Sequence, residues 1–134
     1  MLILRKHSNM LNRDILEGRM EKKMSASGKS EIEIQIDQQQ LRCITPLEEL
    51  VSLGDIRFLN ASFNYLKSME PFLSDCTQLV LLDLSINILS KIEHIEELPN
   101  LQVLNLSKNR LTEINIPLSL PNLKTLVKTH LPNS

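Results

Sequence analysis

The sequence predicts an α/β solenoid, a stack of short coils that each add one strand to a parallel sheet and return through a 3₁₀-like or extended segment. Three observations predict it. LVLLDLSINIL (residues 79–89) and LQVLNLSKNRL (residues 101–111) place leucines at Leu79, Leu82, Leu84 and Leu89, then at Leu101, Leu104, Leu106 and Leu111, with Asn87 and Asn109 at matching offsets. These copies lie 22 residues apart, and Ile56, Leu59, Ala61, Asn64 and Leu66 repeat the frame 23 residues earlier. Within a copy the apolar period also changes, from every second residue at Leu104 and Leu106 to every third along Leu89, Ile92, Ile95, Leu98 and Leu101. A period of two is that of a strand. A strict period of three suits a tight return path better than an α-helix, whose apolar residues alternate between spacings of three and four.

Residues 1–30 lack the repeat, and NRDILEGRMEKKMSASGKS (residues 12–30) is polar with a Ser/Gly cluster at its end. A polar N-terminal tail, disordered or weakly helical, is expected there. The solenoid is expected over 31–127. It begins with a degenerate unit at 31–55, where Ile34, Ile36, Gln39 and Leu41 fill the matching columns. Clear units follow at 56–78, 79–100 and 101–122, then a partial unit from 123. In that last unit Leu123 and Leu126 fit, but Lys128 stands where Leu84 and Leu106 stand, and Leu131 takes the asparagine place. Residues 128–134 therefore read as a non-repeat tail. With no amphipathic helix to cover the final coil, the C-terminal end is expected to be incomplete, as in a truncated or spliced product.

One coil cannot bury its own apolar side, so stacked coils must share a core. The asparagine column has a specific place in such a stack. Where the chain leaves the strand, inward-facing backbone groups lose their strand neighbours, and a buried amide can both donate to them and accept from them. Asn64, Asn87 and Asn109 are thus expected to form a structural ladder.

The pattern LxxLxLxxNxL carried by residues 79–89 and 101–111 resembles the leucine-rich repeat. The 22-residue unit with its KIEHIEELPNL return (residues 91–101) is similar to the short intracellular subclass of phosphatase-1 regulatory and ciliary or dynein-associated leucine-rich-repeat proteins. The resemblance implies a horseshoe whose short parallel strands line a concave face. It also implies a non-catalytic protein–protein interaction module or adaptor, in a ciliary, centrosomal or microtubule-associated complex. A phosphatase regulatory binder, or a fragment without independent activity, are the alternatives.

If the strands line such a face, its outward columns hold Phe58, Leu81 and Val103. The residues flanking the asparagines are Phe63 and Tyr65, Ile86 and Ile88, then Lys108 and Arg110. This patch is apolar over two units and basic at the third. Contiguous exposed apolar surface marks interaction sites, and aromatic residues and Arg are enriched at their energetic centres. A single partner groove is expected, anchored by Phe58, Phe63, Tyr65 and Ile86, with Lys108 and Arg110 meeting an acidic stretch of another protein.

Composition narrows the other options. A net charge of −1 gives no electrostatic reason for nucleic acid or an anionic membrane as partner. The opening MLIL is too short for a signal-peptide core and no later run has membrane length, so a cytoplasmic setting, with cilium or cytoskeleton as the finer expectation, is read. KMSASGKS (residues 23–30) nearly spells a phosphate-binding loop, but Lys23 replaces the first glycine and a strand-like EIEIQID follows where a helix is needed. Asn60-Ala61-Ser62 and Asn105-Leu106-Ser107 match the glycosylation acceptor only because the repeat generates them. Cys43 and Cys76 read as buried small hydrophobes, and His7, His94 and His130 lack partners at ligand spacing. No catalytic residue, metal, cofactor or small-molecule substrate is expected.

Overall fold

In a computed structural model, which describes residues 10–112 and 120–128, six strands form one sheet in chain order. They are β1 (Met20–Met24), β2 (Ser30–Gln35), β3 (Ile56–Asn60), β4 (Leu81–Asp83), β5 (Val103–Leu106) and β6 (Thr125–Lys128). From β2 onward every pairing is parallel, and the repeat fixes the register: Leu59 pairs with Leu82, Leu82 with Leu104, and Leu104 with Leu126. Residues 1–9 of the expected 1–30 tail and 129–134 of the expected 128–134 tail lie outside the described residues, as do residues 113–119 of the unit at 101–122. Lys128, the first residue expected in the non-repeat tail, instead closes β6 opposite Leu106.

The period-two segments place their leucines inward. In β5, Leu104 and Leu106 are buried while Val103 and Asn105 are half-buried on the opposite face. The same holds for Leu82 between Leu81 and Asp83. The period-three segments form the return paths. Short 3₁₀ turns at Leu53–Asp55 and Pro71–Asp75 and one helical turn at Leu47–Leu50 carry the chain back. Phe72, Leu73, Ile95 and Leu98 lie buried on these returns and close one aliphatic core with the strand leucines.

The asparagines bind the coils to one another. Asn64 Oδ1 accepts from the backbone N–H of Gln39 (3.1 Å) and Leu41 (3.0 Å), while its Nδ2 donates to the carbonyls of Ile36 and Ala61, both at 3.0 Å. Asn87 repeats this one coil on, accepting from Leu66 N–H and donating to the carbonyls of Ala61 and Leu84. Asn109 does so again with Leu89 N–H and the carbonyls of Leu84 and Leu106. Each amide thus reaches its own turn and the coil before it.

Residues 10–30 depart from the expected polar tail. Asn12 caps a single helical turn, Arg13–Leu16, by accepting from Ile15 N–H at 2.9 Å. Leu11 and Leu16 are buried against the first coil. The chain then forms β1, antiparallel to β2, through a tight turn in which Gly28 has φ 84°. This hairpin caps the stack. β1 has exposed residues at Glu21, Lys22, Lys23 and Met24, so alternation gave no sign of it. Its charges suit an edge strand, where they discourage further pairing, and Lys23 is salt-bridged to Glu33 on β2. The near-phosphate-loop segment forms the tip of this hairpin, with a strand on either side.

Cys76 is buried as expected, whereas Cys43 is half-buried and contacts the Thr45 hydroxyl at 2.8 Å. Burial, and secondarily the charge of Asp75, pushes the Cys76 thiol up to about 12. Its folded value thus exceeds its unfolded one, so its contribution to stability is complete below the ordinary value of 9.0 and is lost as pH rises toward about 12. Native protein should therefore leave Cys76 unmodified by iodoacetamide at pH 8 and label it fully in urea, as read by peptide mass spectrometry; equal labelling in both states would contradict its burial. Asn87→Ala should lower stability by about 1–3 kcal/mol, because it leaves buried backbone groups unpaired. Urea unfolding checks this, and an unchanged midpoint would show that those groups find other partners.

Candidate protein-binding surface

Two outward surfaces arise from each coil, and the backbone separates them. The first is the exposed face of the sheet. Phe58, Leu81 and Val103 stand side by side in register and are each half-buried. The Arg57 guanidinium lies over the Phe58 ring, 5.5 Å from its centroid. Beside this row runs a polar one, Asn60, Asp83 and Asn105. Their side-chain oxygens accept from the backbone N–H of Ser62 (3.0 Å), Ser85 (3.0 Å) and Ser107 (3.1 Å), which begins the turn out of each strand. The two glycosylation-like triplets are therefore turn-forming motifs of the repeat.

The second surface is the turn rim. In four successive coils the residue before the asparagine column adopts a left-handed backbone: Gln38 (φ 55°), Phe63 (φ 56°), Ile86 (φ 54°) and Lys108 (φ 55°). The chain must reverse curvature there so that the asparagine points inward, and the preceding side chain is left on the outside. Phe63 is 55 % exposed, Tyr65 54 % and Ile86 37 %. Left-handed φ is uncommon for any residue with a Cβ and is a clear outlier for a β-branched one such as Ile86.

Phe63, Tyr65, Ile86 and Ile88 line one groove of about 460 Å³, together with Gln38 and Gln40. The expectation of a single groove that also includes Phe58 is corrected here. Phe58, Leu81 and Val103 project from the strands, whereas the other four follow the turn, so the two sets occupy different surfaces. Lys108 and Arg110 are exposed on the same columns as Ile86 and Ile88, one coil further along, and do not line the groove. Gln38 and Gln40 escaped the sequence reading. The signal was available, because Gln39 occupies the asparagine column and its two neighbours therefore occupy the outward ones.

A polar cluster not anticipated from the sequence joins two return paths. Glu70 accepts from Ile44 N–H (3.2 Å) and the Thr45 hydroxyl (2.9 Å) and contacts the Cys43 thiol (3.8 Å), tying the start of the Leu47–Leu50 turn to the next coil. Among the described residues no group of His, Cys, Asp or Glu is arranged to hold a metal ion. No helix among them is long and apolar enough to cross a membrane.

Residues 99–130 match the family model described as Leucine Rich repeats (2 copies). Among solved structures, the leucine-rich-repeat ectodomain of the receptor kinase SOBIR1 from Arabidopsis thaliana is similar at 21% identity, with 96% of this chain and 89% of that chain covered and a TM-score of 0.51. No curated protein matches the chain. The fold is that of a leucine-rich-repeat solenoid. Domains of this kind generally serve as non-enzymatic scaffolds for protein–protein interaction.

The left-handed column makes a stability prediction. Holding a non-glycine residue there costs about 1–2 kcal/mol, and asparagine tolerates the conformation better. Replacing half-exposed Phe63 forfeits roughly 1 kcal/mol of apolar burial. These effects nearly offset, so Phe63→Asn and Ile86→Asn should each remain within about 1 kcal/mol of the parent in chemical unfolding. A loss of several kcal/mol would assign these side chains to the core.

Proposed function

We propose that this chain is a non-catalytic protein-binding module, acting as an adaptor that engages another protein through the turn rim and the adjoining sheet face. The observation that carries the reading is the conformation of Phe63 and Ile86. The asparagine ladder satisfies the turn from within and asks nothing of the side chain at the left-handed position. Two large apolar side chains nevertheless stand there in the open, next to Tyr65. Such a cluster contributes to association rather than to folding.

The reading assigns no cofactor, nucleic acid, membrane or small-molecule substrate. A cytoplasmic setting within a ciliary, centrosomal or microtubule-associated complex is part of the proposal and rests on the likeness of the repeat unit alone.

Affinity purification from cell extract, with the parent chain and a Phe63→Asn/Ile86→Asn variant as parallel baits, tests it. Proteins retained by the parent should fall at least tenfold on a variant whose unfolding midpoint is unchanged. Ciliary or microtubule components among them would support the proposed setting. Equal recovery on both baits would overturn the role given to the rim.

A further inference from the structure

The charge around the groove specifies what it can hold. The outward columns on either side of the asparagines, and the one two residues beyond, carry four cations: Arg42, Lys67, Lys108 and Arg110. All four are exposed, and the remaining places on those columns are Gln38, Gln40, Phe63, Tyr65, Ile86, Ile88, Ser90 and Thr112, so no carboxylate shares them. The chain as a whole has a net charge of −1, which means that its charge is sorted in space. Exposed acids such as Glu48, Glu49, Glu96 and Glu97 fall on the return paths instead.

We propose that the turn rim takes an extended acidic segment of a partner protein, which seats one apolar side chain among Phe63, Tyr65 and Ile86 and lays its carboxylates on Lys108 and Arg110. This rests on the protein-binding reading above and names the chemistry of the partner. The repeat sets the spacing. Neighbouring strands lie about 4.8 Å apart, so Tyr65 and Arg110, on one column and two coils apart, are separated by about 10 Å. Three residues of extended chain, at about 3.3 Å each, cover that distance. The matching motif is therefore an apolar residue with an Asp or Glu three positions away. On the other side of the groove, one coil back, Gln38 and Gln40 offer amides that both donate and accept, as a passing peptide backbone requires. Because the cations are exposed, attraction should be salt-sensitive and should steer encounter more than it tightens the complex.

The test is an amide NMR titration of the full chain with a synthetic peptide. The peptide has one phenylalanine, a glutamate three residues to either side, and serine elsewhere, so that both chain directions are sampled. Amides of Phe63, Tyr65, Ile86 and Lys108 should shift, and affinity should weaken at least tenfold on Lys108→Glu/Arg110→Glu or when the peptide phenylalanine is replaced by serine. A peptide with lysines for glutamates should bind that doubly reversed variant at least tenfold better than it binds the parent. The inference is overturned if the parent binds the lysine peptide equally well. It is also overturned if shifts are confined to Phe58, Leu81 and Val103, if the peptide does not bind, or if oligothymidine binds the rim more tightly. The two-bait comparison is independent of the peptide, so loss of the acidic assignment and loss of protein binding itself are separately visible.

Discussion

An amide turned inward at the end of each strand is the constraint on which the rest of this molecule depends. A parallel stack of coils must end every strand with a sharp change of direction, and that change strands backbone N–H and C=O groups in an aliphatic interior. Asn64 and Asn87, each 6 % exposed, meet these groups in their own turn and in the coil before, at distances near 3.0 Å. No aliphatic residue could occupy the column without leaving donors and acceptors unmatched, which is costly in a medium that cannot hydrate them. The leucines then need only fill space. Their column tolerates Ala61 in one coil, since packing depends on volume shared among neighbours rather than on any single partner.

The same constraint creates the surface. To aim the asparagine inward, the residue before it takes a left-handed backbone, and its side chain faces outward whatever its chemistry. The stack therefore displays one freely chosen residue per coil at a fixed interval. Here the choices run Gln38, Phe63, Ile86 and Lys108, from polar through apolar to cationic. A gradient of that kind along a rigid, evenly spaced edge has the form of a recognition site. The two apolar members occupy a conformation in which smaller polar residues would be more comfortable.

Much of this was legible in the sequence because it repeats. Coincident columns revealed the strands, their register, the ladder and the outward positions, since each is a statement about sequence offsets. Gln38 and Gln40 apart, whose columns were readable from Gln39, what escaped has no offset to betray it. β1 carries three charges between two methionines and pairs once, antiparallel, so neither alternation nor repetition marks it. The apolar hints were Leu11 and Leu16, with Ile15 and Met20 packed against the same core, and all of them lie outside the repeat. Phe58 and Phe63 are five residues apart and both outward, yet the turn between them directs one to the sheet and the other to the rim. Column position alone does not contain that rotation. The bridge from Glu70 to Ile44 and Thr45 joins two return paths of different lengths, and it follows from side-chain reach rather than from any period.

The ladder also has a direction. Asn64 serves Gln39 and Leu41, Asn87 serves Leu66, and Asn109 serves Leu89, so in every case the asparagine lies later in the chain than the coil it completes. During synthesis, the polar groups of one coil stay unmatched until roughly a further twenty-odd residues have left the ribosome. Completion of each coil's hydrogen bonds must therefore run about one coil behind translation.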